Sequence, residues 1–378
     1  MDMSYFAEMI DHCYDYAVEQ RRCGRPVVGI MCEYTPRELI FAAGGVPVCL
    51  CGGSIETIAP AEEHLPANLC PLIKSTYGYH ITKGNPFLEM ADLVVAETTC
   101  DGKKKMYELM AQTRPMYVLE LPQKPADPDA LVHWTAELRK LRACLQDRFG
   151  RVISDDDIRQ AIAMCNQYRR LRRELADLMA VDSPPLTGRD LLNANSSIWC
   201  MPGDIEQLGR AIASAATDTA RSRRQDAIGA APFRVLLTGV PMLHGASKAL
   251  DITESSGGLV VCMENCSGLK PVIEDVDESA ADPIDALARH YLRLPCSVMT
   301  RNDRRLELLE QLAGRFRADC IIDLSWQACL TYDVESYRVR ELAGRLGLPY
   351  LRISTDYSPS DAARITLRVE ALFETIRR

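Results

Sequence analysis

Eight short apolar runs, each strand-length and most followed by a stretch with helical spacing, constrain this chain more than any other feature. They lie at Val27–Met31, Val46–Leu50, Asp92–Glu97, Pro115–Leu121, Phe233–Thr238, Leu259–Met263, Cys320–Leu324 and Tyr350–Ile353. Runs of this kind alternating with helices mark βαβ units, and such units build parallel sheets. Four runs precede residue 126 and four follow residue 228. The stretch between is helical: Ser154 is a good cap, and Ile158, Ile162, Cys165, Leu171, Leu175 and Leu178 keep helical spacing. The pattern predicts an α/β protein in three parts. Residues 1–125 form an N-terminal α/β lobe with a leading helix, 126–228 a helical connecting segment, and 229–378 a C-terminal α/β lobe. At the local level, Thr35 is expected to cap a helix with Pro36 at its first position and Glu38 completing a capping box.

Composition excludes several functions. A formal net charge of −8 does not supply the basic face that nucleic acid requires. No apolar run approaches the ~20 residues that span a bilayer. The opening MDMSYFAEMIDHCYDYAVEQRR carries acids early and has no signal-peptide apolar core. The expectation is a soluble cytoplasmic protein.

Fifteen cysteines are unusual for such a chain, and an odd number in a reducing compartment is not a disulfide framework. Cys13, Cys23, Cys144, Cys165, Cys262 and Cys320 suit the role of buried free thiols, which pack as small hydrophobes. Others fall where strands end: Cys32 after VVGIM, Cys100 after LVVAETT, Cys266 after LVVCMEN and Cys329 after IIDLSWQA. In open parallel sheets ligands bind beyond the carboxyl ends of the strands. Thiols collected there point to a soft metal, with iron–sulfur first.

The strongest local signal is Glu97-Thr98-Thr99-Cys100-Asp101-Gly102 followed by three lysines. It places Cys100 at a strand-to-helix turn, where a helix N-terminus favours the thiolate a metal needs. The plain alternative is a turn cysteine with Asp101 as a cap and Lys103–Lys105 as a solvated first turn. Cys70, before Pro71, suits presentation from a loop. Cys329 is the second lobe's counterpart of Cys100. A further group is Cys51, Cys266 and Cys296, with Cys32 in reserve. Cys49 and Cys51 share one face of a continuing strand, and Cys51 lies nearer any crevice. No CxxC pair suggests a zinc ribbon, no HExxH or GxSxG spacing occurs, and no glycine loop suits a phosphate. Glu33, Glu97 and Asp101 lie beside these segments and are candidate proton donors, although capping or surface roles also explain them. RRLRR at 169–173 reads first as a solvated helix face.

Taken together, LPANLCPLIKSTYG, VVAETTCDGKKKMYELM, VVCMENCSG and QACLTYDVES resemble the double-cubane cluster branch of the activator-dependent 2-hydroxyacyl-CoA dehydratase superfamily. The resemblance runs from about residue 25 to the end, apart from the middle helical segment. It implies two flavodoxin-like lobes with a cluster in the cleft between them. It implies an anaerobic, homodimeric oxidoreductase holding an [8Fe–9S] double-cubane cluster, with three cysteines per cubane. Cys70, Cys100 and Cys329 match the superfamily's [4Fe–4S] ligands; Cys51, Cys266 and Cys296 are the choices for the second cubane. It also implies a partner, an ATP-hydrolysing iron–sulfur activator that delivers low-potential electrons for reduction of a small unsaturated substrate. The rival expectation is a lyase: the single-[4Fe–4S] subunit of a 2-hydroxyacyl-CoA dehydratase. Its coenzyme A substrate needs a basic pocket, which RRLRR at 169–173 could supply. A third is an electron carrier or assembly scaffold.

Overall fold

The computed structural model describes residues 2–222, 232–243 and 245–377. Within them the eight runs are strands: β1 Val27–Ile30, β2 Val46–Cys49, β3 Leu93–Glu97, β4 Met116–Leu119, β5 Phe233–Gly239, β6 Gly258–Glu264, β7 Cys320–Trp326 and β8 Tyr350–Thr355. All pairs are parallel, and they form two sheets of four strands. The orders are β2-β1-β3-β4 and β6-β5-β7-β8, so the two halves share one topology. This is the two-lobed α/β architecture expected from the strand pattern.

Burial explains why these segments are strands. Every residue of β1, β3 and β7 is buried, as parallel strands covered on both faces must be. Gly239 shows how tightly the second sheet closes. A Cβ there would stand 1.9 Å from the Leu324 carbonyl oxygen, and its φ of +110° suits glycine alone.

In both sheets the strand order reverses beside the first strand, between β1 and β3 and between β5 and β7. Those switch points open crevices at the carboxyl ends. Cys32 and Cys100 follow β1 and β3, and Cys329 follows β7.

The middle helices span Ala130–Phe149, Asp155–Asp177, Gly188–Asn195 and Pro202–Ser222; residues 223–228 of the expected segment lie outside the described residues. Ser154 caps the second of these in a capping box with Asp157. Thr35 does not cap as expected. The next helix is Arg37–Ala42 with Pro36 at the cap and no side-chain cap bond. Thr35 instead donates its hydroxyl to buried Glu97, and Glu38 is drawn into a buried ion pair with Arg169 at 2.6 Å. Tertiary partners have outcompeted the local cap.

RRLRR also departs from expectation. Arg169 and Arg172 are buried, while Arg170 and Arg173 bond Asp275 at 2.6 and 2.8 Å. The run is a wedge between halves, not a solvated face. Beside it, the chain from Val276 to Met299 leaves the second sheet and packs its apolar side chains with Val28, Ile30 and Trp134 of the first half. Asn166 receives the Val276 amide at 2.9 Å, and Tyr291 donates to Glu38 at 2.7 Å. The two lobes are thus locked by an element borrowed from one to cover the other. Among the described residues no helix is long and apolar enough to cross a membrane.

Candidate metal centre

The carboxyl ends of the two sheets face one cavity of about 520 Å³. Cys32, Cys51, Cys70, Cys100, Cys266, Cys296 and Cys329 all line it. So do Cys13 and Cys49. Cys262 and Cys320 do not; they are buried within β6 and at the start of β7, as small hydrophobes. Cys165 and Cys200 are also buried, with sulfurs 3.9 Å apart. Cys23 departs from the buried-thiol reading, because it is exposed; Cys144 is half-buried.

Local structure aims the thiols. Cys70 and Cys100 each stand at a helix N-cap, preceding Pro71–Thr82 and Asp101–Met110. Cys329 occupies the same position before Leu330–Leu346, behind Ala328 at φ +58°. A left-handed alanine is a strained conformation that the surrounding packing must hold. The Cys51 loop is pinned by Gly52, whose amide donates to Thr76 at 2.9 Å and whose carbonyl accepts from Tyr357 of the other half at 3.1 Å. A Cβ at Gly52 would meet the Ser75 backbone at 2.6 Å.

The thiols fall into two neighbourhoods. Cys70 and Cys329 lie side by side across the two halves, and Cys100 feels both and also Cys296 of the second group, so the two groups adjoin. That contact draws the Cys70 thiol below its ordinary range and pushes Cys329 above it. Cys32 is perturbed by Cys266 and Cys296, and Cys51 is perturbed by Cys32. Burial pushes Cys32 well up and Cys266 to about 12. Cys49 and Cys51 lie side by side, and that contact holds Cys49 down at about 7. Although deep in the molecule, Cys49 has accessible surface, which faces the cavity.

Two buried cations serve these groups. Lys103 donates to the Met31 carbonyl at 2.6 Å; burial works against its charge, but the Tyr107 phenol and then the thiols Cys51, Cys32 and Cys100 raise its pKa above the ordinary range. It is not part of a solvated turn, unlike Lys104 and Lys105, which pair with Asp101 and Glu108. Lys270 lies near Cys266 and pairs with Glu264 at 3.3 Å. Glu264 in turn meets Arg305 at 3.2 Å, which bonds Glu335 at 2.5 Å. This buried network fixes the β6 end carrying Cys266 against the helix that follows Cys329.

The three carboxylates part company. Glu33 lines the cavity and pairs with Arg37 at 2.9 Å. Glu97 is fully buried under Thr35, outside the cavity lining, and burial pushes it up to about 8. Asp101 lies at the rim with its carboxylate almost wholly in solvent.

The donor set fits an iron–sulfur core. It is all sulfur, drawn from both halves, and soft thiolates select such metals. Among the described residues no three His, Cys, Asp or Glu gather closely enough to hold one ion. A polynuclear core spreads its thiolates over separate irons, so it can use sulfurs that a single ion could not bridge.

The family described as 2-hydroxyglutaryl-CoA dehydratase, D-component, matches residues 32–376. The chain belongs to that family. Among its relatives is YjiM of Escherichia coli K12, provisionally named a dehydratase subunit, which is 41% identical over 93% of this chain and 92% of its own length. The (R)-phenyllactyl-CoA dehydratase beta subunit of Clostridium sporogenes is 20% identical over 98% of this chain and 97% of its own. A benzoyl-CoA reductase subunit of Thauera aromatica is 24% identical over 76% and 75%. D-component relatives therefore include both dehydratase and reductase subunits, and this member of the family is an enzyme component of that class.

Sequence reasoning passed over Cys13 and Lys270, set Cys49 behind Cys51, and read Arg172 within a run taken first as a solvated helix face. Cys13 is held by backbone, accepting from the Ile198 amide at 3.2 Å. Arg172 carried a signal: Cys165, Arg169, Arg172 and Ala176 share one helical stripe, which places the two arginines on the buried side.

Proposed function

We propose that this protein is the substrate-reducing component of an ATP-dependent low-potential electron system, built around an [8Fe–9S] double-cubane cluster. Cys70, Cys100 and Cys329 would hold one cubane, and Cys51, Cys266 and Cys296 the other, with Cys32 as the reserve ligand. Once bound, such a centre would supply stored low-potential electrons and an open iron for reducing a small unsaturated substrate. One observation carries the reading: seven candidate thiols, more than twice the three that the family resemblance implies for a single [4Fe–4S] cluster, share one cavity in two adjoining neighbourhoods.

The chain's own residues do the rest. They fix ligand geometry, keep bulk water from the cavity and offset negative charge through Lys103 and Lys270. Of the three carboxylates Glu33 is the best placed to relay a proton, being shielded and on the cavity wall, but it pairs with Arg37 in its ionised form and must first take the proton up. The chain presents no phosphate loop, so ATP hydrolysis falls to a partner, a cytoplasmic iron–sulfur ATPase. The working assembly is a homodimer, whose protomer is divided at residues 125 and 228.

A second reading has support of its own. Relatives named as acyl-CoA dehydratase subunits favour a lyase reaction, for which the family resemblance implies a single [4Fe–4S] cluster. Anaerobic purification with iron and sulfide analysis separates the two. About eight irons per chain supports the reductase, and about four supports the dehydratase.

A further inference from the structure

The cavity extends beyond the thiols to a second wall formed by Arg172, Asn195 and Trp199. Arg172 is 3% exposed and pairs with no acid among the described residues. Its Nη2 donates to the Gly268 carbonyl at a long 3.3 Å, and its Nε meets no acceptor. The guanidinium lies near the Trp199 and Tyr168 rings, at 5.8 and 5.9 Å from their centroids, but no carboxylate among the described residues compensates its charge, and a buried charge without a partner is costly. The titratable groups nearest it in effect are the Tyr168 phenol, Glu33, Asp204 and Arg37, with no proposed ligand thiol among them. Both carboxylates are engaged elsewhere: Glu33 by Arg37 at 2.9 Å, and Asp204 by the Tyr168 hydroxyl at 2.7 Å. The Asn195 amide makes no hydrogen bond among the described residues. It borders the same small void of about 10 Å³ that Arg172 borders, so the two residues share that part of the cavity wall.

We infer that Arg172 and Asn195 form a binding site for the carboxylate of a small organic acid, whose unsaturated end then points along the cavity toward the thiols. This deepens the reductase reading and names its substrate class. The guanidinium fork matches a carboxylate's two oxygens, and the Asn195 amide adds a neutral donor. The cavity's 520 Å³ must also take the metal core, which leaves space for a small acid and not for a coenzyme A thioester lying wholly inside.

The test uses anaerobically purified, cluster-bearing protein and calorimetric titration with propionate, propionamide and inorganic phosphate, none of which alkylates thiols. Propionate is expected to bind saturably, and at least roughly tenfold tighter than its neutral amide. Arg172→Gln should weaken propionate binding roughly tenfold to a hundredfold, and Arg172→Lys less, with iron content unchanged. Asn195→Ala should weaken it severalfold, and decides the matter if Arg172→Gln does not fold. Equal binding of propionate and propionamide overturns the inference, and so does wild-type affinity in Arg172→Gln. Phosphate binding tighter than propionate overturns the assignment to a carboxylate. Four irons per chain with intact discrimination for propionate would sink the reductase reading and leave the anion site standing.

Discussion

The Tyr34 hydroxyl donates to the Leu294 carbonyl at 3.0 Å, across the boundary between the two halves. Tyr34 stands two residues after Cys32, and Leu294 two before Cys296. One buried hydrogen bond therefore holds together two thiols that are 264 positions apart (296 − 32). Tyr34→Phe should cost about 1 kcal/mol of stability. It should also quicken iron loss to a chelator while leaving the strands intact. Circular dichroism and release of iron to a ferrous chelator check this; unchanged release would mean the tie does not serve the cavity.

The Glu38–Arg169 pair ties the first lobe to the middle helices with both side chains fully buried. Removing Arg169 leaves the buried Glu38 carboxylate with no counter-charge and, among the described residues, only the Tyr291 hydroxyl as a side-chain partner. Arg169→Met should destabilise by about 3–5 kcal/mol, and Glu38→Gln with Arg169→Met by less. Denaturant unfolding of the two single variants and the double gives the cycle. An additive double variant would show that the pair does not couple.

Cysteine replacements should sort by cavity lining. Cys51→Ala and Cys296→Ala should lose about half the iron or more, whereas Cys262→Ala and Cys320→Ala should keep it and lose only about 1 kcal/mol of packing. Elemental analysis decides. Full iron in Cys51→Ala would remove it from the ligand set.

Lys103 is the cation held between the two thiol neighbourhoods. Lys103→Met should make any bound cluster harder to reduce, because the local charge becomes more negative. A redox titration followed by electron paramagnetic resonance reads the potential; a shift upward would contradict the role.

Asp204 gives a pH signature. Burial raises its carboxyl to about 6 from the ordinary 3.8. The folded state thus holds a proton that the unfolded chain releases, and the stabilisation is full below about 3.8 and lost as pH rises through about 6. Asp204→Asn should gain on the wild type by up to about 2 kcal/mol between pH 4 and pH 7. Unfolding curves at the two pH values test it. A gap that does not change with pH would show an ordinary carboxylate.

Much of the fold was legible because the signal is local. A parallel strand buried on both faces must be an apolar run, and all eight runs became strands. Cap chemistry read well at Ser154, where nothing competes, and badly at Thr35, where Glu97 offered a buried acceptor. Segments bearing candidate ligands were legible for the same reason, since a cysteine just past a strand lies near a crevice whatever else the chain does.

What the sequence determined alone is that two parallel-sheet halves, each with thiols at its strand ends, would form. The tertiary structure decided which thiols meet. It leans the Val276–Met299 segment on the first lobe, sets Cys70 beside Cys329, opens Cys49 into the cavity and buries Arg172 unpaired. Strand formation depends on neighbours a few residues apart. The convergence of these groups depends on how the halves pack, which is set by the sum of many weak apolar contacts between residues distant in sequence.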